Sequence, residues 1–546
     1  MKAGSDRLVW AAALLAALPC LALPLTNTDL FWHLSAARAM LEARALPAVD
    51  WLSWTKYGEA WGDFEWLSQL VYGASWALGG MKALWSLKVI VLSASFVLVD
   101  RLLRLHGLAS LWRACALGAW ACLMLPRSDL RPDLFSVLAF GWLLLRLEER
   151  RIGRGQGPGP AACGALFALW ANLHGGYPYG LALLALYAAA EAFEGRRPRW
   201  TSLGAAVAGT FAHPLGWGSW TVLVEHAAAM DALSRNIIEW GPVPLGNPWR
   251  WPHWALAAAA ILAAGLAVKP GKVPAAPIAL LAGLGWAGTQ HQRLGVYFAQ
   301  AGLPLTLHLL RSSWTPPALD PRRARAGALV FLLAVAAFLA WCVRDTGVFR
   351  HAFEERHLPT LATAFLARER AALAGERLYN LWQWGGYLGW RLGPDYKVFE
   401  DGRYLFHDLL DEEEVATRSP EAWRAFLDRR RIGVALMPNI PSTVRGTRKR
   451  ADGTEVELVR PYFVTFMPRE SWALAHFDSQ ALVFVRRSAV ERSWLAAREY
   501  RFIRPGDGQA LGEALRAGDF PPSSVEAELR RHASEAASLA AAGIGW

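Results

Sequence analysis

The chain has 546 residues, 54% of them hydrophobic and only 19% charged, where soluble globular chains carry roughly 25% charged residues. The formal net charge of +11 falls largely in short breaks between apolar runs, as membrane proteins distribute their cytoplasmic Lys and Arg, so nucleic acid is excluded as its cause. Cys20, Cys115, Cys122, Cys163 and Cys342 lie in apolar segments without ligand spacing, which excludes a disulfide framework and a zinc site.

In chain order, the apolar run Leu8 to Leu25 follows Lys2 and Arg7 but lacks a small-x-small cleavage site, so it reads as an uncleaved first span. Further apolar runs begin near Leu84, Leu108, Leu134, Ala161, Tyr177, Thr201, Trp254, Val273, Leu294 and Ala326, giving about eleven spans. The amphipathic stretch Trp66 to Leu78 suits a helix lying in the membrane interface. Loop charge supports that choice. One set of loops then collects Arg101, Arg104, Arg146, Arg150, Arg151, Arg154, Arg196, Arg197, Arg199, Lys269, Lys272, Arg311, Arg322, Arg323 and Arg325, whereas an extra span would put the later clusters outside. The expected architecture is an all-α membrane bundle over residues 1–343, with a long first outer loop at 26–83. A soluble α/β domain with a helical tail follows over 344–546. The N-terminus is expected in the cytoplasm of a bacterial inner membrane and the second domain in the periplasm.

The outer loops then hold Asp29 to His33, Asp63 to Trp66, Arg127 to Asp133, Asn172 to His174, His213, Glu239-Trp240 and His291 to Arg293. Ionisable groups at span ends are costly unless they face water or a protein cavity, so their sharing one face points to a site. Asp29 can bind a divalent cation or take a proton from a hydroxyl, with His33 beside it; equally, it can cap the helix from Leu30 to Leu41. Arg127, Arg131, His291 and Arg293 suit a phosphate at the membrane surface, or else they pair with Asp129 and Asp133.

In the second domain, Arg377 to Asn380 reads as a strand, Trp382 to Trp390 as a glycine-rich aromatic turn into a helix, and Lys397 to Arg403 as a strand ending in a turn. Pro420 to Arg430 reads as a helix, Ile432 to Met437 as a strand, and Trp472 to Arg486 as a hairpin. This is a βαβ-type pattern. Ser442 to Glu457 reads as a charged loop, and the glycines form no phosphate-loop or dinucleotide fingerprint.

With these residues in view, the chain resembles the GT-C superfamily of polytopic glycosyltransferases and, in layout, the catalytic subunit of oligosaccharyltransferase. The likeness rests on Asp29 opening a long outer loop, on Asp129 and Asp133 in the next one, and on Trp382-Gln383-Trp384-Gly385-Gly386-Tyr387, which is similar to that family's Trp-Trp-Asp-Tyr-Gly. Asp29 to His33, Asp63 to Leu67, Arg131-Pro132, Asn172 to Gly176, Glu239-Trp240 and Val398 to Arg403 are also similar to poorly characterised bacterial membrane proteins. Asp129 and Asp133 are spaced more widely than Asp-x-Asp, and the aromatic motif lacks the acid.

The resemblance implies a transferase taking a sugar from a polyprenyl-phosphate-linked donor to a glycan, lipid or protein acceptor. It makes Asp29, His33 and Glu239 catalytic candidates, and Asp29, Asp129 and Asp133 candidate ligands for Mg or Mn. Arg127, Arg131, His174, His291, Arg293, Trp382, Trp384, Tyr387, Asp401 and Arg403 are substrate-binding candidates. Two other readings stay open: a metal-independent glycan ligase or polymerase, and a non-enzymatic membrane assembly factor whose outer domain binds partners.

Overall fold

The computed structural model describes residues 4–269, 273–313, 320–348 and 350–541; Lys2 and Lys272 lie outside them. The chain divides into two compact units, one of Met1–Asn27 with Gly62–Glu354, the other of Thr28–Trp61 with Glu355–Trp546. The long first outer loop is thus split: residues 28–61 group with the C-terminal part, whereas a cut at 343 would have left them with the helices.

The first unit is helical throughout its regular structure, and helices cover the apolar runs found in the sequence. Gly4–Ala22 packs against Ser110–Met124 and Pro321–Val343, and Trp251–Ala267 and Ala275–Gln290 pack against Gly295–Ser313. Pro160–Leu173 lies against Trp200–Thr210 where Gly164 and Gly209 bring the backbones together: a Cβ on Gly209 would strike the Gly164 carbonyl. The amphipathic stretch and the following apolar run form one long element, Trp66–Leu105, broken at Gly79 and Gly80. Gly80 has φ 58, which glycine adopts without the cost a side chain would add.

Among the described residues, Trp66–Leu105 and Pro321–Val343 are the helices long and apolar enough to cross a membrane. Others are short: Pro160–Leu173 has 14 residues, or about 21 Å of helix against a hydrocarbon core of about 30 Å. The surface of this unit nevertheless carries large apolar side chains, including Ile90, Ile261, Leu262, Trp286, Val330 and Leu333, each more than half exposed. Water would penalise such a surface; lipid would not.

The second unit is built on a mixed four-stranded sheet. Its strands are β1 (Leu378–Tyr379), β2 (Val434–Pro438), β5 (Trp472–Phe477) and β6 (Ala481–Arg486), in the order β1-β2-β6-β5. β1 and β2 run parallel, joined by a crossover through helices Trp382–Leu392, His407–Ala416 and Pro420–Arg429; β6 is antiparallel to both neighbours. Every residue of β5 is buried, and so are all but the last of β6. That explains why these strands read as continuous apolar runs. Trp423, Phe426, Phe399, Tyr379 and Phe463 fill the core beside the sheet. The α/β character expected from the sequence is present.

Three details differ. Ser442 to Glu457 lies within an ordered hairpin, β3 (Thr443–Lys449) and β4 (Glu455–Pro461), pinned by Arg450 to Glu513 and Arg460 to Asp507. Its strands alternate between partly covered and exposed residues, so apolar burial leaves little trace in the sequence. Lys397 to Arg403 contributes only an isolated bridge, Val398 to Ser53, and no sheet strand. Trp382 onward is helix from its first residue, because Gly385 and Gly389 provide the close approach that packing requires.

Candidate active site

In the helical unit, a short 3-10 turn, Leu125–Arg127, ends one helix and Asp133 opens the next, where the helix N-terminus favours a carboxylate. Between them the chain places two guanidiniums. Arg127 bonds to Asp133 and Glu239 at once, Arg131 reaches Glu239 at 3.1 Å, and Arg293 approaches the same carboxylate at 3.5 Å. Glu239 stands on a turn stapled from a neighbouring segment: His291 Nδ1 lies 2.7 Å from the Trp240 carbonyl, and Gln292 Nε2 donates to the carbonyls of Ile238 and Pro242. Arg293 also covers the Trp240 ring at 4.8 Å. His291, a candidate substrate ligand from the sequence, is thus bonded through Nδ1 to the turn that carries Glu239.

Arg250, which the sequence reading did not single out, joins this group. It lines a small cavity with Arg127, Trp249, His253 and Gln292. Burial, with Arg127 adding repulsion against the attraction of Glu239, pushes its pKa down to about 10. Four guanidiniums, those of Arg127, Arg131, Arg250 and Arg293, thus gather around Glu239. Burial alone would raise the Glu239 pKa; Arg131, Arg127 and Arg293 overcome it and hold the carboxylate well below its ordinary range. So acidified, Glu239 is a weak base and a good counter-ion.

His174 lies in a separate chain of bonds. Trp170 Nε1 donates to Ser136 Oγ at 2.6 Å, and Ser136 Oγ lies 2.7 Å from His174 Nδ1, which also accepts from the Gly176 amide at 3.0 Å. Two hydrogen-bond partners on Nδ1 put the proton of the neutral ring on Nε2, which faces Glu65 at 3.5 Å. Burial keeps the ring neutral, lowering its pKa to about 3. Glu65 belongs to the outer-loop group Asp63 to Trp66, whereas Ser136 was not singled out; Asn172 accepts from Trp66 Nε1 at 2.7 Å.

The candidate metal ligands of this unit are otherwise engaged. Asp129 Oδ2 accepts from the Thr26 amide at 2.8 Å and its hydroxyl at 2.6 Å, fastening the end of the first helix, while Asp133 is bonded to Arg127. No group of three or more His, Cys, Asp or Glu side chains that could hold a metal occurs among the described residues.

In the second unit, Asp29 immediately precedes helix Leu30–Ala43, but its side chain makes no capping bond. The capping alternative is therefore overturned. Its carboxylate lies instead against Gly402, where an added Cβ would collide with Oδ1. The residues flanking Gly402 are locked. Asp401 grips Arg403 through both oxygens, at 2.8 Å to Nε and 2.7 Å to Nη2, and Asp50 takes Nη2 at 2.6 Å. All three are essentially fully buried, with the rings of Trp51, Trp61 and Phe406 around the guanidinium. Asp401 and Arg403 thus flank the glycine against which Asp29 rests, and both are buried. His33 is also buried, its ring 3.6 Å from that of Trp32.

The aromatic motif turns inward. Trp384 is buried and donates to the His357 carbonyl at 3.0 Å; Tyr387 is buried and meets the Phe31 ring edge-on at 5.1 Å. Trp382, partly buried, stacks on His407. These contacts are core packing, which a motif read from sequence does not separate from ligand binding.

No protein-family model matches the sequence, and no curated protein matches it. Solved structures do. The archaeal oligosaccharyltransferase AglB from Archaeoglobus fulgidus, in complex with an inhibitory peptide and a dolichol-phosphate, superposes with a TM-score of 0.50 at 10% identity, over 84% of this chain and 74% of that one. The Archaeoglobus fulgidus oligosaccharyltransferase tethered to an acceptor peptide gives 0.51 at 11% identity, covering 80% and 69%. ArnT from Cupriavidus metallidurans gives 0.47 at 14% identity, covering 89% and 99%. The fold is similar to that of these oligosaccharyltransferases.

Proposed function

We propose that this protein is a GT-C-type glycosyltransferase of the bacterial inner membrane, taking sugar from a polyprenyl-phosphate-linked donor to a glycan, lipid or protein acceptor. The gathering of the Arg127, Arg131, Arg250 and Arg293 guanidiniums around Glu239 carries the reading, since these groups match the charge and geometry of a phosphate. The AglB structure holds a dolichol-phosphate on the same fold, which agrees with a lipid-phosphate donor. The loop arginines and the exposed apolar surface support about eleven spans, a cytoplasmic N-terminus and a periplasmic second unit.

In the reaction, the acceptor oxygen forms a bond to the anomeric carbon as the bond from that carbon to the phosphate oxygen breaks. The phosphate leaves with the electron pair, and guanidiniums stabilise its charge. On the family resemblance, Asp29 is the carboxylate proposed for the acceptor proton; within the helical unit Glu239 tunes the cations. Both Asp129 and Asp133 are held by protein groups, which favours transfer that relies on arginine and needs no divalent metal.

The test is product formation from a radiolabelled polyprenyl-phosphate sugar pool in membranes carrying wild-type or Asp29→Asn protein. The variant is expected to insert at normal level and yield at least about a hundredfold less product, the scale of general-base loss. Full activity in Asp29→Asn would overturn the assignment. Activity of the wild type is expected to survive EDTA; its loss, with recovery on adding Mg or Mn, would restore a metal to the mechanism.

A further inference from the structure

At the far end of the helical unit from Glu239 lies a cavity of about 620 Å³, lined by Arg101, Arg104, Trp142, Arg146, Glu149 and Arg154 with Leu105 and Leu145. Its position follows from the helices. Asp133 opens the helix that carries Trp142 and Arg146, and thirteen residues at 1.5 Å per residue put Arg146 about 20 Å further along. Arg101 and Arg104 likewise stand in the last turns of Trp66–Leu105, whose start lies beside His174. None of these side chains takes part in the proposed reaction.

Charge in the cavity is strongly unbalanced. Four guanidiniums line it against one carboxylate, Glu149, which is bonded to Arg146. Arg104 is paired with Asp100 at 2.8 Å, while Arg101 and Arg154 have no ion pair among the described residues. Trp142, Leu145 and Leu105 add an apolar wall, so the lining is amphipathic.

The adjoining wall is rigid. Glu148 accepts two bonds from Arg151, at 2.7 and 2.8 Å, and one from Tyr187 at 2.6 Å. Arg311 donates to the His106 carbonyl at 3.0 Å. The arginines therefore project from a braced frame, and ordering them on a ligand costs little of the frame's freedom.

We propose that this cavity binds an anionic glycerophospholipid, with its phosphodiester among Arg101, Arg104, Arg146 and Arg154 and an acyl chain along Trp142 and Leu145. A zwitterionic headgroup would bring its own cation into a site already rich in them and bind more weakly. A soluble phosphate would satisfy the guanidiniums while leaving the apolar wall unused. The site is distinct from the reaction proposed above and does not depend on it.

The experiment is native mass spectrometry of the delipidated full-length protein titrated with phosphatidylglycerol, phosphatidylcholine or inorganic phosphate. Phosphatidylglycerol is expected to be retained preferentially. R101Q/R154Q, which removes the two unpaired cations, is expected to cut that retention about thirtyfold, near 1 kcal/mol for each charge at a membrane surface. Glu149→Gln releases Arg146 and is expected to raise retention, which keeps the proposal falsifiable if the double variant fails to fold. Equal retention of both lipids, unchanged retention in R101Q/R154Q, or displacement by equimolar inorganic phosphate would overturn it.

Discussion

Glu239 shows what a single carboxylate does among cations. With its side chain 19% exposed and Arg127 only 6% exposed, its removal leaves a nearly buried guanidinium with Asp133 alone. Breaking a buried pair from one side costs roughly 3 kcal/mol, so Glu239→Ala is expected to lower the melting temperature in detergent clearly. Arg293→Gln, acting on a longer and more exposed contact, is expected to shift it little. Equal shifts would show that the carboxylate does not depend chiefly on Arg127. Of this cluster, Arg127, Arg131, Asp133, Glu239 and Arg293 were legible because each abuts an apolar run. Arg250 was not: it sits among tryptophans and prolines, where one more cation resembles an interface anchor. Gly402 was passed over for another reason, since a glycine's role depends on what a side chain would strike. Gly402→Ala is expected to displace the Asp29 carboxylate and lose most transferase activity while the helical unit keeps its fold; unchanged activity would release Asp29 from its proposed role.

Helix Trp382–Leu392 illustrates the element scale. Its aromatic and glycine residues read as a binding motif, yet the helix needs glycine at 385 because a Cβ there would enter the Glu400 carbonyl. Backbone cannot yield as a side-chain end can, so Gly385→Ala is expected to cost at least the 1–3 kcal/mol typical of overpacking. Gly446→Ala, in hairpin β3–β4 with only the Arg460 side chain within reach, is expected to be nearly neutral. Limited proteolysis and melting of the full-length variants would separate the two, and equal tolerance would refute the backbone contact. Strands β2, β5 and β6 were readable as apolar runs because they are buried on both faces. Hairpin β3–β4 was not, because ion pairs to Asp507 and Glu513 position it and long-range charge pairing has no period.

At the scale of the whole molecule, the grouping of residues 28–61 with the C-terminal part was hidden by sequence distance. Asp50 and Arg403 are separated by 353 positions, and nothing local to either announces the other. The same packing buries a second acidic pair, Glu400 and Glu413, near Tyr379. Burial pushes both carboxyls above the ordinary Glu range, and the Glu413 charge raises Glu400 further. The folded chain therefore holds a proton that the unfolded chain releases once pH exceeds about 4.3. For a carboxyl whose pKa is raised on folding, stability is complete below the unfolded value and falls as pH climbs towards the folded one. Melting temperature is accordingly expected to fall between about pH 5 and pH 8 through this pair. Glu413→Gln, which carries no charge to desolvate, is expected to flatten that fall and to melt above wild type at the alkaline end. Other acids titrate in the same range, so the difference between the two proteins is the quantity to follow. If wild type and variant lose stability in parallel as pH rises, the pair is ionised in the folded chain and its burial must be satisfied in some other way.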